Sequence, residues 1–206
     1  MLVVVDYGMG NLRSVAKALE RAGGRPVVSS TPADVARATQ LVVPGVGAGP
    51  HAMQELRARG MLEPVRAHLR ANKPYLGICL GLQLLFDRTD EAGGSDGLGI
   101  LRGTVKKFTV AAPLKVPQIG WNRIARTAAA HNCPVLDGIP DNSFFYFVHS
   151  YYADPLDASV AATMTEYGRP FASAVWQGKL FATQFHPEKS QRLGLQLLEN
   201  FLTRCR

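Results

Sequence analysis

The sequence predicts an α/β fold in one domain: a central, mostly parallel sheet with helices on both faces, extended by antiparallel strands in the second half. Three observations carry this. The first half alternates short apolar runs with segments of helical period, the pattern of parallel strands joined by crossover helices. From about residue 104 the segments become strand-like and are separated by turn residues. The 206 residues, 47% hydrophobic and 19% charged, suit one full core and give no linker, repeat or low-complexity tract at which to divide 1–206.

The elements follow in order. Residues 2–6 are an apolar first strand. Asn11 caps a helix whose stripe is Leu12, Val15, Ala16 and Leu19, ending at Gly23-Gly24. Residues 26–29 form a short strand, and Thr31-Pro32 opens a short helix with Thr as cap and Pro at the first position. Leu41–Val43 is the third strand, ended by the loop Pro44–Pro50. Helical patterns cover 51–59 and 61–71; Tyr75–Ile78 is the fourth strand, and Leu80–Arg88 is the helix after it. The later strands are expected at 104–110, 119–125, 144–148, 159–166, 171–177 and 180–185, with turns at Asp154-Pro155, 167–170 and 177–179. A last helix over 190–204 has Ser190 as cap and buries Leu193, Leu197, Leu198 and Phe201.

Composition narrows the function. The net charge is +7, but the basic residues stand singly or in pairs (Arg57 and Arg59, Lys106 and Lys107, Arg204 and Arg206) without interleaved aromatics. That is a basic surface or docking face rather than a nucleic-acid groove. No apolar run reaches membrane-spanning length. The N-terminus reads as a strand rather than a signal peptide, so a cytoplasmic location is expected. Three widely spaced cysteines give neither a disulfide framework nor a metal-ligand pattern, and Cys133 and Cys205 read as structural or surface thiols.

Cys79 differs from both. It lies in Gly77-Ile78-Cys79-Leu80-Gly81, between an apolar strand and a helical run. A nucleophile there projects from the tip of a sharp bend whose glycines tolerate strain and leave room for a substrate. The following helix would favour the thiolate. In an open α/β sheet, ligand sites lie at the carboxyl ends of the strands, where Cys79 and the loop Pro44–Pro50 both fall. That loop lacks the spacing of a phosphate cradle. Acyl transfer at Cys79 would need two backbone donors for an oxyanion. Leu80 is one natural source, and Val46 or Gly47 the other. In Phe185-His186-Pro187-Glu188, an extended backbone would turn His186 and Glu188 the same way, so that the carboxylate orients the ring and the ring serves the sulfur. Cysteine, histidine and acid are the parts of a triad.

Pro44–Gly47, Gly77–Gln83 and Phe185–Ser190, in that order, resemble the class I glutamine amidotransferases. Asp6–Leu12, Pro117–Asn122 and Phe147–Tyr151 are similar to segments of the glutaminase subunits of imidazole glycerol phosphate synthases, and the resemblance covers essentially the whole chain. It implies hydrolysis of glutamine through a thioester on Cys79, with His186 as base and acid and Glu188 as its orienter. It further implies delivery of ammonia to a (β/α)8 cyclase subunit, in a heterodimer serving histidine biosynthesis. Gln83, Gly47, Ser150 and Tyr151 match substrate-contacting positions; Asn11, Gln118, Trp121 and Lys189 match positions facing the cyclase. No metal or organic cofactor is implied. The rival readings are an amidotransferase feeding another synthase, a cysteine hydrolase, a binding module on the same fold, and a nucleic-acid binder.

Overall fold

A computed structural model describes residues 1–205; Arg206, counted above among the basic residues, lies outside the described residues. The parallel sheet begins with β1 (Leu2–Val5), β2 (Pro26–Ser29), β3 (Gln40–Gly45) and β4 (Tyr75–Cys79). The runs of β1, β3 and β4 are apolar on both faces, as strands covered from two sides must be, whereas the edge strand β2 leaves Val27 and Val28 exposed. β1 lies between β2 and β3, β4 follows β3, and β13 (Leu180–Thr183) lies parallel to β4 on its other side.

Alternation along each strand feeds two cores. Leu2, Val4, Val42, Leu76 and Ile78 point to the face packed by α1 (Leu12–Arg21) and α6 (Gln191–Arg204), through Val15, Leu19, Leu197, Leu198 and Phe201. Val3, Val5, Leu41, Val43 and Tyr75 point the other way, under α2 (Pro32–Arg37), α3 (Gly49–Ala58) and α4 (Leu62–Arg70). Fully burying one such side chain contributes about 1.5–3 kcal/mol. Asn11 caps α1 as expected, its side chain accepting from the Ser14 amide at 3.3 Å. Thr31 precedes α2, but its side chain makes no cap hydrogen bond.

The predicted helix over Leu80–Arg88 is much shorter. α5 is only Leu80–Gln83, and Phe86–Thr89 is β5, parallel to β7 (Leu101–Lys107). The run from Leu80 to Phe86 is buried except at Gln83, so it carries no periodicity to separate helix from strand. A short β6 (Ser95–Asp96) pairs with β5.

The antiparallel extension is present and richer than predicted. β8 (Gln118–Arg126), β9 (Ser143–His149), β11 (Ala161–Glu166) and β12 (Pro170–Gln177) match expected segments. β7 starts and ends three residues earlier than expected, and β13 stops at Thr183 rather than 185. β10 (Tyr151–Pro155) was not expected, and it absorbs the predicted turn at Asp154-Pro155. Pro155 tolerates this because it sits opposite Gly103 at a non-hydrogen-bonded position, and the ladder is carried by the next amide, Leu156 N–H donating to the Arg102 carbonyl at 3.0 Å. Lys106 reaches Asp154 across the ladder at 2.6 Å.

Candidate active site

The bend after β4 carries its strain on Cys79 itself. Cys79 has φ 55° and ψ −103°, a conformation a residue with a side chain enters only when its surroundings force it. The flanking glycines are therefore not there for their own dihedrals, which corrects the sequence reading. They allow close passage: a Cβ on Gly81 would lie 1.9 Å from the Val43 carbonyl oxygen, and one on Gly77 2.5 Å from that of Gly81. β3, β4 and α5 can meet at this tip only if both positions lack side chains. α5 is a single turn, so its dipole contributes less at the sulfur than the longer predicted helix would.

His186 and Glu188 meet by a different geometry from the one expected. The strand has ended, and Pro187–Lys189 form a 3-10 turn after an extended His186. Across that turn His186 Nδ1 lies 2.8 Å from Glu188 Oε1, with both side chains almost wholly buried. Ser190 is not a side-chain helix cap. Its hydroxyl donates to the His186 carbonyl at 2.7 Å and accepts from the Tyr146 amide at 3.0 Å, while the His186 amide donates to the Tyr146 carbonyl at 2.9 Å. The histidine turn is thus clamped to β9.

His186 Nε2 is buried and has no hydrogen-bond partner among the described residues. Such an unpartnered polar atom is uncommon unless chemistry uses it. Burial works against a charged ring, but the neighbouring Cys79 sulfur, and then the hydrogen-bonded Glu188 carboxylate, outweigh it and raise the pKa from 6.5 to about 10. The raised value favours the imidazolium. Its contribution to stability is full below pH 6.5 and is lost as pH rises through about 10. Because Cys79 makes the largest raising contribution, Cys79→Ala is expected to bring the ring's titration, followed by NMR, down toward neutral pH. An unchanged midpoint would mean that sulfur and ring do not interact.

A cleft of about 450 Å³ opens over Cys79, and Val46, Gly47, Leu80, Gln83, Ser150 and Tyr151 all line it, as expected. Gln83 Nε2 donates to the Tyr151 carbonyl at 3.0 Å and to Gln184 Oε1 at 3.0 Å. Three further residues were given no role from the sequence, although His149 lies within the matched segment Phe147–Tyr151. Glu91, in the connection after β5, lines the cleft and accepts from the Gly49 amide at 2.7 Å. Gln184, fully buried, reaches the Cys79 sulfur at 3.5 Å. His149 lines the cleft with Nδ1 2.7 Å from the Tyr151 carbonyl and Nε2 2.9 Å from the Gln118 side chain. Burial is the main cause of its lowered pKa, about 4.

The positions matched to a partner face fall on different kinds of ground. Asn11 and Lys189 are exposed, and Trp121 is 46% exposed. Trp121 packs edge-on against Tyr146, whose ring lies 5.6 Å from the Lys189 ammonium. Gln118 is buried on His149, so its side chain is no surface group in this chain.

An elbow cysteine, a histidine–glutamate pair and a roomy cleft at the carboxyl edge of a two-sided sheet form a candidate site for acyl transfer through a cysteine. A family model described as "Glutamine amidotransferase class-I" matches residues 3–205, and the chain belongs to that family. Within it, the chain is 49% identical to "Imidazole glycerol phosphate synthase subunit HisH" of Syntrophotalea carbinolica, over 98% of each chain. It is 52% identical to the subunit of the same name from Nitrosococcus oceani, over 98% of this chain and 96% of that one. A solved structure described as "Crystal structure of glutamine amidotransferase" shares the fold, with TM-score 0.74 at 21% identity over 98% of each chain.

Proposed function

We propose that this chain is the glutaminase subunit of an imidazole glycerol phosphate synthase. It hydrolyses glutamine and hands the ammonia to a (β/α)8 cyclase subunit with which it forms a heterodimer in histidine biosynthesis. The observation that carries the reading is the buried His186 ring, held by Glu188 at 2.8 Å on one nitrogen and with its other nitrogen left unpartnered, together with the strained elbow at Cys79.

The chemistry follows from that arrangement. His186 takes the thiol proton, and the Cys79 sulfur attacks the side-chain carbonyl carbon of glutamine. The resulting oxyanion is held by backbone N–H groups of Leu80 and of Val46 or Gly47. Collapse expels ammonia, which receives its proton from His186, and leaves a glutamyl thioester. Water, deprotonated by the same ring, then releases glutamate and restores the thiol. Gln83, Gly47, Ser150 and Tyr151 hold the amino-acid end of the substrate, and Glu91 supplies a carboxylate for its ammonium.

Support for a docked partner comes from the β8–β9 ribbon. Ile119, Trp121 and Phe144 are 63%, 46% and 47% exposed, an apolar patch of the kind that marks an interaction site. Asn11, Trp121 and Lys189 are its direct contacts in this reading, and Gln118 acts from beneath through His149. A cytoplasmic location is in keeping with three free, buried thiols.

Labelling tests the reading. An electrophile that mimics glutamine should add once, at the peptide carrying Cys79, and excess glutamine should suppress the reaction. Labelling at another residue, or labelling indifferent to glutamine, would remove the proposal.

A further inference from the structure

We propose that Gln184 is a further catalytic residue: its side-chain N–H donates to the Cys79 sulfur and stabilises the thiolate. The inference rests on Cys79 being the nucleophile of the reading above, and adds a donor that is neither part of the triad nor part of the backbone oxyanion site.

The direction of this hydrogen bond is set by a chain of amides. The Tyr151 carbonyl can only accept, so the Gln83 side chain must turn its nitrogen to it. The same nitrogen lies 3.0 Å from Gln184 Oε1 and fills that oxygen. Gln184 is then left with its nitrogen toward Cys79, 3.5 Å from the sulfur. Neither carboxamide can flip without setting donor against donor or acceptor against acceptor in a buried place.

The surroundings hold the side chain in position. Gln184 is wholly buried, and its backbone amide donates to the Ser173 carbonyl at 2.8 Å, just beyond the end of β13. On another side of the sulfur is the Val148 carbonyl, 3.9 Å away, which can accept from a thiol S–H but cannot support an anion. Gln184 therefore discriminates between the two states of the sulfur. Its N–H is worth more to the thiolate than to the thiol, because a hydrogen bond to a charged acceptor is the stronger one. Both Gln83 donors are used within this chain of amides, which leaves its carbonyl oxygen for the cleft that Gln83 lines. A substrate N–H donated to that oxygen would polarise the two carboxamides in series and strengthen the donor at the sulfur.

The test reads the sulfur directly. The rate of Cys79 alkylation by iodoacetamide, measured by mass spectrometry against pH, gives the thiol's titration midpoint in the isolated chain. Gln184→Met and the isosteric Gln184→Glu should both raise that midpoint, by about one to two pH units. Glutamine turnover should fall about tenfold or more, chiefly in kcat, with KM little changed. Selective 15N labelling of glutamine side chains keeps the proposal testable should either variant fail to fold. In the unaltered chain the Gln184 amide resonances should shift through the pH range in which Cys79 titrates, and they should stay fixed in Cys79→Ala. An unchanged alkylation midpoint in a folded variant, or amide resonances indifferent to the titration of Cys79, would overturn the assignment. Failure of the wider reading would look different: alkylation of Cys79 in the unaltered chain would then be indifferent to glutamine.

Discussion

Replacing Cys79 with alanine is expected to lower glutaminase turnover by about 10⁴-fold or more while leaving a folded chain. The size follows from the absence of a substitute. The other thiols, Cys133 and Cys205, are buried, and burial pushes each up to about 11, so neither presents a thiolate at neutral pH. His186 and Glu188 remain in place in the variant, but a proton acceptor without a nucleophile cannot form the thioester. Alanine keeps the same backbone preference as cysteine at φ 55°, so the elbow neither gains nor loses strain. The change in stability should stay within about 1 kcal/mol. Glutamate release and a thermal melt, measured on the same sample, check both halves. Turnover within tenfold of the unaltered chain would transfer the nucleophile's role to another residue.

The second large effect is expected from the partner. Adding the cyclase subunit together with its ligand should raise glutaminase turnover by about 10²–10³-fold, the scale of one oxyanion donor gained. The physical reason lies in where the donors sit. Leu80 belongs to the packed turn after Cys79 and is fixed by the core. Val46 is 45% exposed and Gly47 has φ 93°, in a loop beyond the last paired residues of β3 and β4, Gly45 and Cys79. A donor on such a loop can be moved by a contact that a packed donor would not feel. Steady-state glutamate production with and without the partner measures the effect. Equal rates would place both donors in working position in the isolated chain and remove the coupling.

Much of the fold was legible because it is written in local patterns. Leu2–Val5, Leu41–Val43 and Tyr75–Ile78 are apolar throughout, and their shortness between turn signals favours a strand buried on both faces over a helix. Asn11 stands directly before a periodic segment, and its side chain caps the helix there. The misreadings have the same physical origin in reverse. Leu80–Phe86 is buried by elements far away in sequence, so its apolar run says nothing about period. Asp154-Pro155 carries turn chemistry but is captured by pairing with β7, a tertiary contact that overrides local preference.

The candidate site divides in the same way. Cys79, His186 and Glu188 were found from residue type and neighbours. The manner of their meeting was not, since the strain sits on Cys79 rather than on its glycines and the histidine–glutamate contact crosses a 3-10 turn. Glu91 and Gln184 stand among residues that give no pattern, and His149 lies in the matched segment Phe147–Tyr151 without a role that its neighbours announce. They enter the site because β5, β9 and β13 end near the same edge of the sheet as β4.

By itself, then, the sequence determined the order of strands and helices as far as β4, the three groups able to perform acyl transfer, and the family to which they belong. The tertiary structure decided which way each polar group faces. Hydrophobic period and turn chemistry act over a few residues and survive in any window of the chain. The direction of a buried hydrogen bond depends on partners brought in from elsewhere: the Tyr151 carbonyl turns Gln83, and Gln83 turns Gln184 toward a sulfur 105 positions away. No local stretch of sequence contains that information, because it exists only once the sheet has closed around the site.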